Sequence, residues 1–328
     1  MSENSAIKES LKAEKLSKRV WEIDTIRGVA IIGMIINHFL YDIALLPSIF
    51  SNFYSVDNSF IRWLYDSVSA YIQTPTHAFF HSLAFLFLLI SGISCLFSKN
   101  NLKHGIKILI AGIIIDLITY IIFWVASALY TNKVITLSDL LSVDIRIIFG
   151  VLWPLAIGAL LITLTKKLPY SKWINLVLAL GCFTYGLVFG LTSRNLHFSS
   201  GDEMWIFIFR IFDQQPVLSL TLPPFNYDWF TNITGMSFVN FLKAGIGLVN
   251  VGSDYFALIP WVGFSFLGAF LGQTVYKEKK SLLPKLDGKW HKPIDFFGNH
   301  ALIVYITHQF ILMGLLIGIC EILGYRIF

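Results

Sequence analysis

Charge is scarce in this sequence. Only 14% of its 328 residues are Asp, Glu, Lys or Arg, against 55% apolar or aromatic, and the mean hydropathy is +0.68. A soluble domain carries roughly a quarter of its residues as charges, so this balance excludes an ordinary water-soluble protein and places the chain in the membrane class. Cysteine is scarcer still: Cys95, Cys182 and Cys320 all lie inside apolar blocks and share no C-x-x-C spacing, which argues against a disulfide framework or a zinc site, and no metal is expected. A continuous basic stripe is also missing. The sequence pI near 9.0 comes from Lys and Arg dispersed between apolar blocks, which argues against a nucleic-acid partner. With no internal repeat or low-complexity tract, the simplest organisation is a basic leader, 1–22, followed by one transmembrane domain, 23–328.

What is present is a series of long apolar runs. Seven are apolar and long enough for a hydrocarbon core of about 30 Å, which takes about 20 helical residues. They lie near 23–45, 78–97, 106–129, 147–165, 173–191, 255–276 and 299–320. The expected fold is therefore all-α, a polytopic transmembrane helix bundle of about seven spans. The first run outlasts a signal peptide and has no small-x-small cleavage site, so it reads as an uncleaved anchor. Most Lys and Arg fall in the leader (Lys8, Lys12, Lys15, Lys18, Arg19) and in alternate connections: Lys99, Lys103 and Lys107; Lys166, Lys167 and Lys172; and Lys277, Lys279, Lys280, Lys285, Lys289 and Lys292. Positive charge stays on the cytoplasmic side, so the expected protein sits in the cell (inner) membrane with its N-terminus in and its C-terminus out. The outward connection 192–254 is too long for an idle turn. Its prolines and aromatic residues (Trp205, Phe207, Phe209, Phe212, Phe225, Tyr227, Trp229, Phe230) suit an interfacial collar or a substrate lid equally well. Two further short crossings there, nine spans in all, would keep the same parity.

An ionisable side chain in hydrocarbon costs about 2.5–3.5 kcal/mol on insertion scales and so needs a partner, a water-filled cavity or a task. The first span holds Arg27, His38 and Asp42. Arg27 and His38, three helical turns apart, share a face with an axial separation of about 16 Å, which puts His38 near mid-membrane. Asp42, one turn beyond, is placed to accept a ring N–H of His38 and set which nitrogen stays basic. A base with an orienting carboxylate is half of a catalytic constellation. Asp116 and His308 fall about 14–15 Å from the inner boundary of their own spans, so His38, Asp116 and His308 are expected to meet. The bland reading of Asp116 and His308 is interhelical hydrogen bonding. His77 and His81, four residues apart, read either as bundle glue or as a site for a divalent metal or an incoming sugar, and Arg146 reads as a boundary anchor.

Four segments in order carry a family resemblance: Trp21 to Met34 (WEIDTIRGVAIIGM), Phe85 to Ser94 (FLFLLISGIS), Asp254 to Gly263 (DYFALIPWVG) with Gly268, and Gly298 to Gln309 (GNHALIVYITHQ). Together they resemble the heparan-alpha-glucosaminide N-acetyltransferase catalytic-domain family, small bacterial members included, over about 21–310 with 192–254 unmatched. The Arg27 to His38 spacing is also similar to that on the first helix of the acyltransferase-3 membrane family, whose histidine is implicated in acyl transfer. There is one departure. The family carries a histidine after a Phe-Gly-x-Leu stretch, where this chain has Trp153-Pro154 after Phe149-Gly150-Val151-Leu152.

The resemblance implies an enzyme that takes an acetyl group from cytoplasmic acetyl-CoA and delivers it to an amine or hydroxyl of a sugar or glycan on the far side. In that reading His38 is the base or nucleophile, Asp42 its orienting partner, and His308 and Asp116 supporting groups. Arg27, Lys103 and Lys107 face the CoA phosphates, a placement that positive-inside topology explains equally well for the lysines. The bilayer is the other partner, and a homo-oligomer is compatible with the sequence. Two readings from other classes remain: a proton-coupled transporter or flippase, since buried His and Asp also serve proton relays, and an assembly partner in which the buried charges are bundle glue. A transporter would show an inverted repeat with broken helices, which the sequence lacks.

Overall fold

A computed structural model describes residues 20–72, 74, 83–98, 100–130, 147, 149–194, 238–248 and 255–327, with backbone alone over 123–130 and 189–194. His77, His81, Arg146, the leader up to Arg19 and most of the 192–254 connection lie outside the described residues.

The described chain is all-α, with no strand among the described residues. Its helices are α1 (Trp21–Ala44), α2 (Leu46–Ile49), α3 (Ser59–Ile72), α4 (Ala84–Phe97), α5 (Asn101–Tyr130), α6 (Leu152–Thr165), α7 (Ser171–Arg194), α8 (Phe238–Gly245), α9 (Leu258–Thr274), α10 (Lys292–Asn299) and α11 (Ala301–Ile322), with one 3-10 turn at Pro284–Leu286. Each of the seven expected apolar runs contains all or most of one apolar helix or overlaps one. Four of these are long and apolar enough to cross a membrane: α1, α5 over Asn101–Ile122, α7 over Ser171–Val188, and α11. The other three, α4, α6 and α9, are apolar helices of 10–17 residues.

A helix that is apolar on every side belongs in the middle of a bundle, and α9 is such a helix. Trp261, Val262, Phe264, Ser265, Phe266 and Ala269 are all buried on it, and it packs against α4, α6 and α7. Lipid tails are as apolar as Leu, so helix association in a membrane depends on close packing rather than on the hydrophobic effect. The glycines of the four resemblance segments supply that packing. A methyl at Gly92 of α4 would strike the Ser265 carbonyl of α9, and one at Gly268 would strike the Leu89 carbonyl. Likewise Gly28 of α1 lies against the Ile294 carbonyl of α10, and Gly298 against the Asp24 carbonyl. These two backbone-to-backbone crossings join α4 to α9 and α1 to α10.

At the opposite end of α1, the C-terminal strand of chain after α11 closes over the α2–α3 turn. Ser51 N–H donates to Arg326 O at 2.9 Å and Arg326 N–H to Asn52 Oδ1 at 2.7 Å. Tyr325, 1% exposed, fills the space between Phe50 and Phe53. This tie holds α11 against α1 and fixes the register at which their polar residues face each other.

Candidate functional site

The polar residues of α1 meet those of α11 in two successive rungs. In the first, His38 Nδ1 lies 2.7 Å from His308 Nε2, and the two rings are nearly parallel, with centroids 5.0 Å apart and planes at 12°. In the second, one turn along α1, Gln309 Nε2 donates to Asp42 Oδ1 at 2.6 Å. The expected Asp42 to His38 hydrogen bond is therefore replaced on both sides: α11 supplies His308 to the imidazole and Gln309 to the carboxylate. Asp42 still lies close enough to His38 for their charges to interact. His308 Nδ1 faces the carbonyls of Tyr305 at 2.7 Å and Val304 at 3.2 Å.

Three buried oxygens surround these rungs, Asn37 Oδ1, Asp42 Oδ2 and Gln309 Oε1, and none has a hydrogen-bond donor among the described residues. Undonated acceptors in a low-dielectric interior favour positive charge nearby. The surroundings therefore suit a histidine pair that gains a proton during a reaction.

His38 also lines a pocket enclosing about 480 Å³, its open mouth included. Ala30, Ile31 and Met34 of α1 form one wall, Leu83 with Ala84 and Phe87 of α4 another, and Val151 and Phe256 close the end where α6 and α9 begin. Apolar walls with one or two placed polar groups are the usual make-up of a small-molecule site. Here the polar groups are Asn37 and His38.

The other expected site residues are held elsewhere. Asp116 Oδ2 accepts from Trp153 Nε1 at 2.8 Å and has no hydrogen bond to either histidine among the described residues. Trp153 is the residue that stands where the resemblance calls for a histidine. It packs with Phe149 and with Phe241 of α8, the part of the 192–254 connection that the structure describes. Arg27 sits about three turns from His38 on α1. It forms an ion pair with Asp24 at 3.2 Å and donates to Ser94 Oγ of α4 at 2.5 Å and to the Gly298 carbonyl at 3.5 Å. Lys103 and Lys107 are exposed on the first two turns of α5. Between them lies His104, within electrostatic reach of Arg27 and Lys107, so α1 and α5 place basic groups side by side at this end. Sequence reasoning passed over His104 and Gln309. The signals were adjacency to Lys103 for the first and to His308 for the second.

No curated protein and no solved structure matches this chain. The family model for heparan-alpha-glucosaminide N-acetyltransferase, catalytic, matches residues 19–310. That span contains both histidines of the first rung, both residues of the second, and every wall of the pocket. Residues 19–310 are most of the chain, and the chain belongs to the heparan-alpha-glucosaminide N-acetyltransferase catalytic-domain family.

Proposed function

We propose that this integral membrane protein is an acyltransferase that moves an acetyl group from cytoplasmic acetyl-CoA to an amine or hydroxyl of a sugar or glycan on the opposite side. The observation that carries the reading is His38, standing at the wall of an apolar pocket with its Nδ1 2.7 Å from His308 Nε2. Family membership supports the reaction class.

In the reaction, His38 Nε2 takes the proton of the acceptor O–H or N–H as the acceptor oxygen or nitrogen bonds to the thioester carbonyl carbon. The C–S bond breaks, and the CoA thiolate leaves and takes the proton back from His38. Asp42 supplies counter-charge while the imidazolium exists. Arg27, His104, Lys103 and Lys107 form the basic end that suits CoA phosphates. About 16 Å of α1 separates Arg27 from His38, a little less than an extended pantetheine arm. Seven crossings with the N-terminus cytoplasmic, the topology that the Lys and Arg distribution favours, would let donor and acceptor reach His38 from opposite faces.

Turnover of radiolabelled acetyl-CoA by protein reconstituted in lipid tests this. His38→Ala is expected to lower transfer to an amino sugar or to water by about 10²–10⁴-fold with binding of the donor retained. Undiminished transfer in that variant would rule out His38 as the base. Absence of acetyl-CoA binding by folded wild-type protein would leave the transporter reading in its place.

A further inference from the structure

At 2.7 Å between His38 Nδ1 and His308 Nε2, one nitrogen has to carry a hydrogen and the other a lone pair. Which is which follows from the far side of His308. Its Nδ1 lies 2.7 Å from the Tyr305 carbonyl and 3.2 Å from that of Val304, both in the preceding turn of its own helix. Carbonyl oxygens only accept, so His308 Nδ1 carries the hydrogen. Two rings joined nitrogen to nitrogen, with centroids 5.0 Å apart, cannot both be cations without strong repulsion. In the neutral pair, His308 Nε2 therefore holds the lone pair, and His38 Nδ1 is the donor.

We propose that His308 is the positioning residue of this site, its α11 backbone holding His38 in the Nδ1–H tautomer so that Nε2 is the atom that takes the acceptor's proton. In water a histidine ring is free to exchange tautomers. Here the choice is made by two backbone carbonyls, relayed through one ring. When Nε2 of His38 gains the acceptor's proton, the bond from Nδ1–H to His308 becomes charge-assisted and strengthens. His308 thus stabilises the charged form without touching the substrate. The role deepens the acyltransferase reading and rests on it for the identity of the proton donor, but the tautomer itself does not depend on any activity.

The test is ¹⁵N NMR of histidine-labelled protein in lipid nanodiscs, with the His38 signals identified by their loss in His38→Gln, alongside transfer kinetics with acetyl-CoA. Wild type is expected to show His38 protonated at Nδ1. In His308→Leu the ring is expected to redistribute toward Nε2–H, and kcat to fall about 10²-fold with KM for acetyl-CoA unchanged. In His308→Gln, whose amide oxygen can still accept from Nδ1–H, the tautomer and part of kcat are expected to be kept. Finding Nε2–H in wild type, or Nδ1–H undisturbed in His308→Leu, overturns the proposal. The expected tautomers in a protein that transfers no acyl group support the assignment of His308 and overturn only the acyltransferase reading.

Discussion

A carboxylate buried as deeply as Asp42, 2% exposed, with one oxygen on a neutral amide and the other undonated among the described residues, is an expensive residue to keep for packing alone. Its placement one turn from His38 gives it an electrostatic use. Asp42→Asn keeps the shape and removes the charge; kcat is expected to fall about tenfold, roughly 1.4 kcal/mol of transition-state stabilisation, with KM for the donor unchanged. A loss confined to KM would assign Asp42 to binding instead. His291 gives a second prediction. It is the N-cap residue of α10, at the end of the connection from α9, its ring stacked on Trp21. Burial disfavours its charge, but Asp287 at 3.0 Å and Asp295 at 2.6 Å outweigh burial and hold its pKa above the usual histidine value. A folded-state pKa above the unfolded one contributes stability fully below about pH 6.5, lost as pH rises through the raised folded value. Amide protection factors at residues 288–292, with base-catalysed intrinsic exchange divided out, should therefore be larger at pH 6 than at pH 8, and His291→Gln should remove the difference.

Among helices, the decisive contacts are backbone on backbone. Because Gly92 faces the Ser265 carbonyl and Gly268 the Leu89 carbonyl, Gly92→Ala and Gly268→Ala should each force α4 and α9 apart. The expected cost is about 1–3 kcal/mol or more, read as a lower midpoint of thermal unfolding in detergent. A methyl at Gly181 of α7 would meet nothing within 4 Å among the described residues, so Gly181→Ala should be neutral or slightly stabilising, since alanine is the better helix former by about 0.5–1 kcal/mol. Equal losses at all three positions would contradict the packing described. The pocket belongs to this scale too. Met34 lines it from α1, and Met34→Trp should raise KM for the acyl donor while leaving the histidine pair in place, as the His38 NMR signals would report.

For the whole molecule, the resemblance segments and the site turn out to be one arrangement. The motif glycines set how closely α1 approaches α10 and α4 approaches α9, and α11 then presents His308 to the face of α1 that carries His38. A reporter fused after Phe328 is expected to sit on the extracytoplasmic side and one before Val20 on the cytoplasmic side. Both reporters on one face would contradict the proposed seven crossings.

Much of this was legible in the chain itself. Apolar runs of helical length and the alternation of Lys and Arg are summed, local properties, so helix positions and membrane class follow from composition, and the place of His38 along α1 from spacing. Family resemblance is equally local, since each segment is short and contiguous. Hydrogen-bond partners are not. The i, i+4 spacing made Asp42 the natural partner of His38, and depth alone grouped Asp116 with the two histidines. The first overlooked partners that another helix could offer, and the second assumed that residues at similar depth face one another. Helix rotation decides that, and rotation is set by which small residues allow which backbones to touch. In the packed bundle His38 meets His308, Asp42 meets Gln309, and Asp116 meets Trp153. Which residues are polar and how deep they lie is written along one dimension; which of them share a proton depends on the packing of α1 against α11.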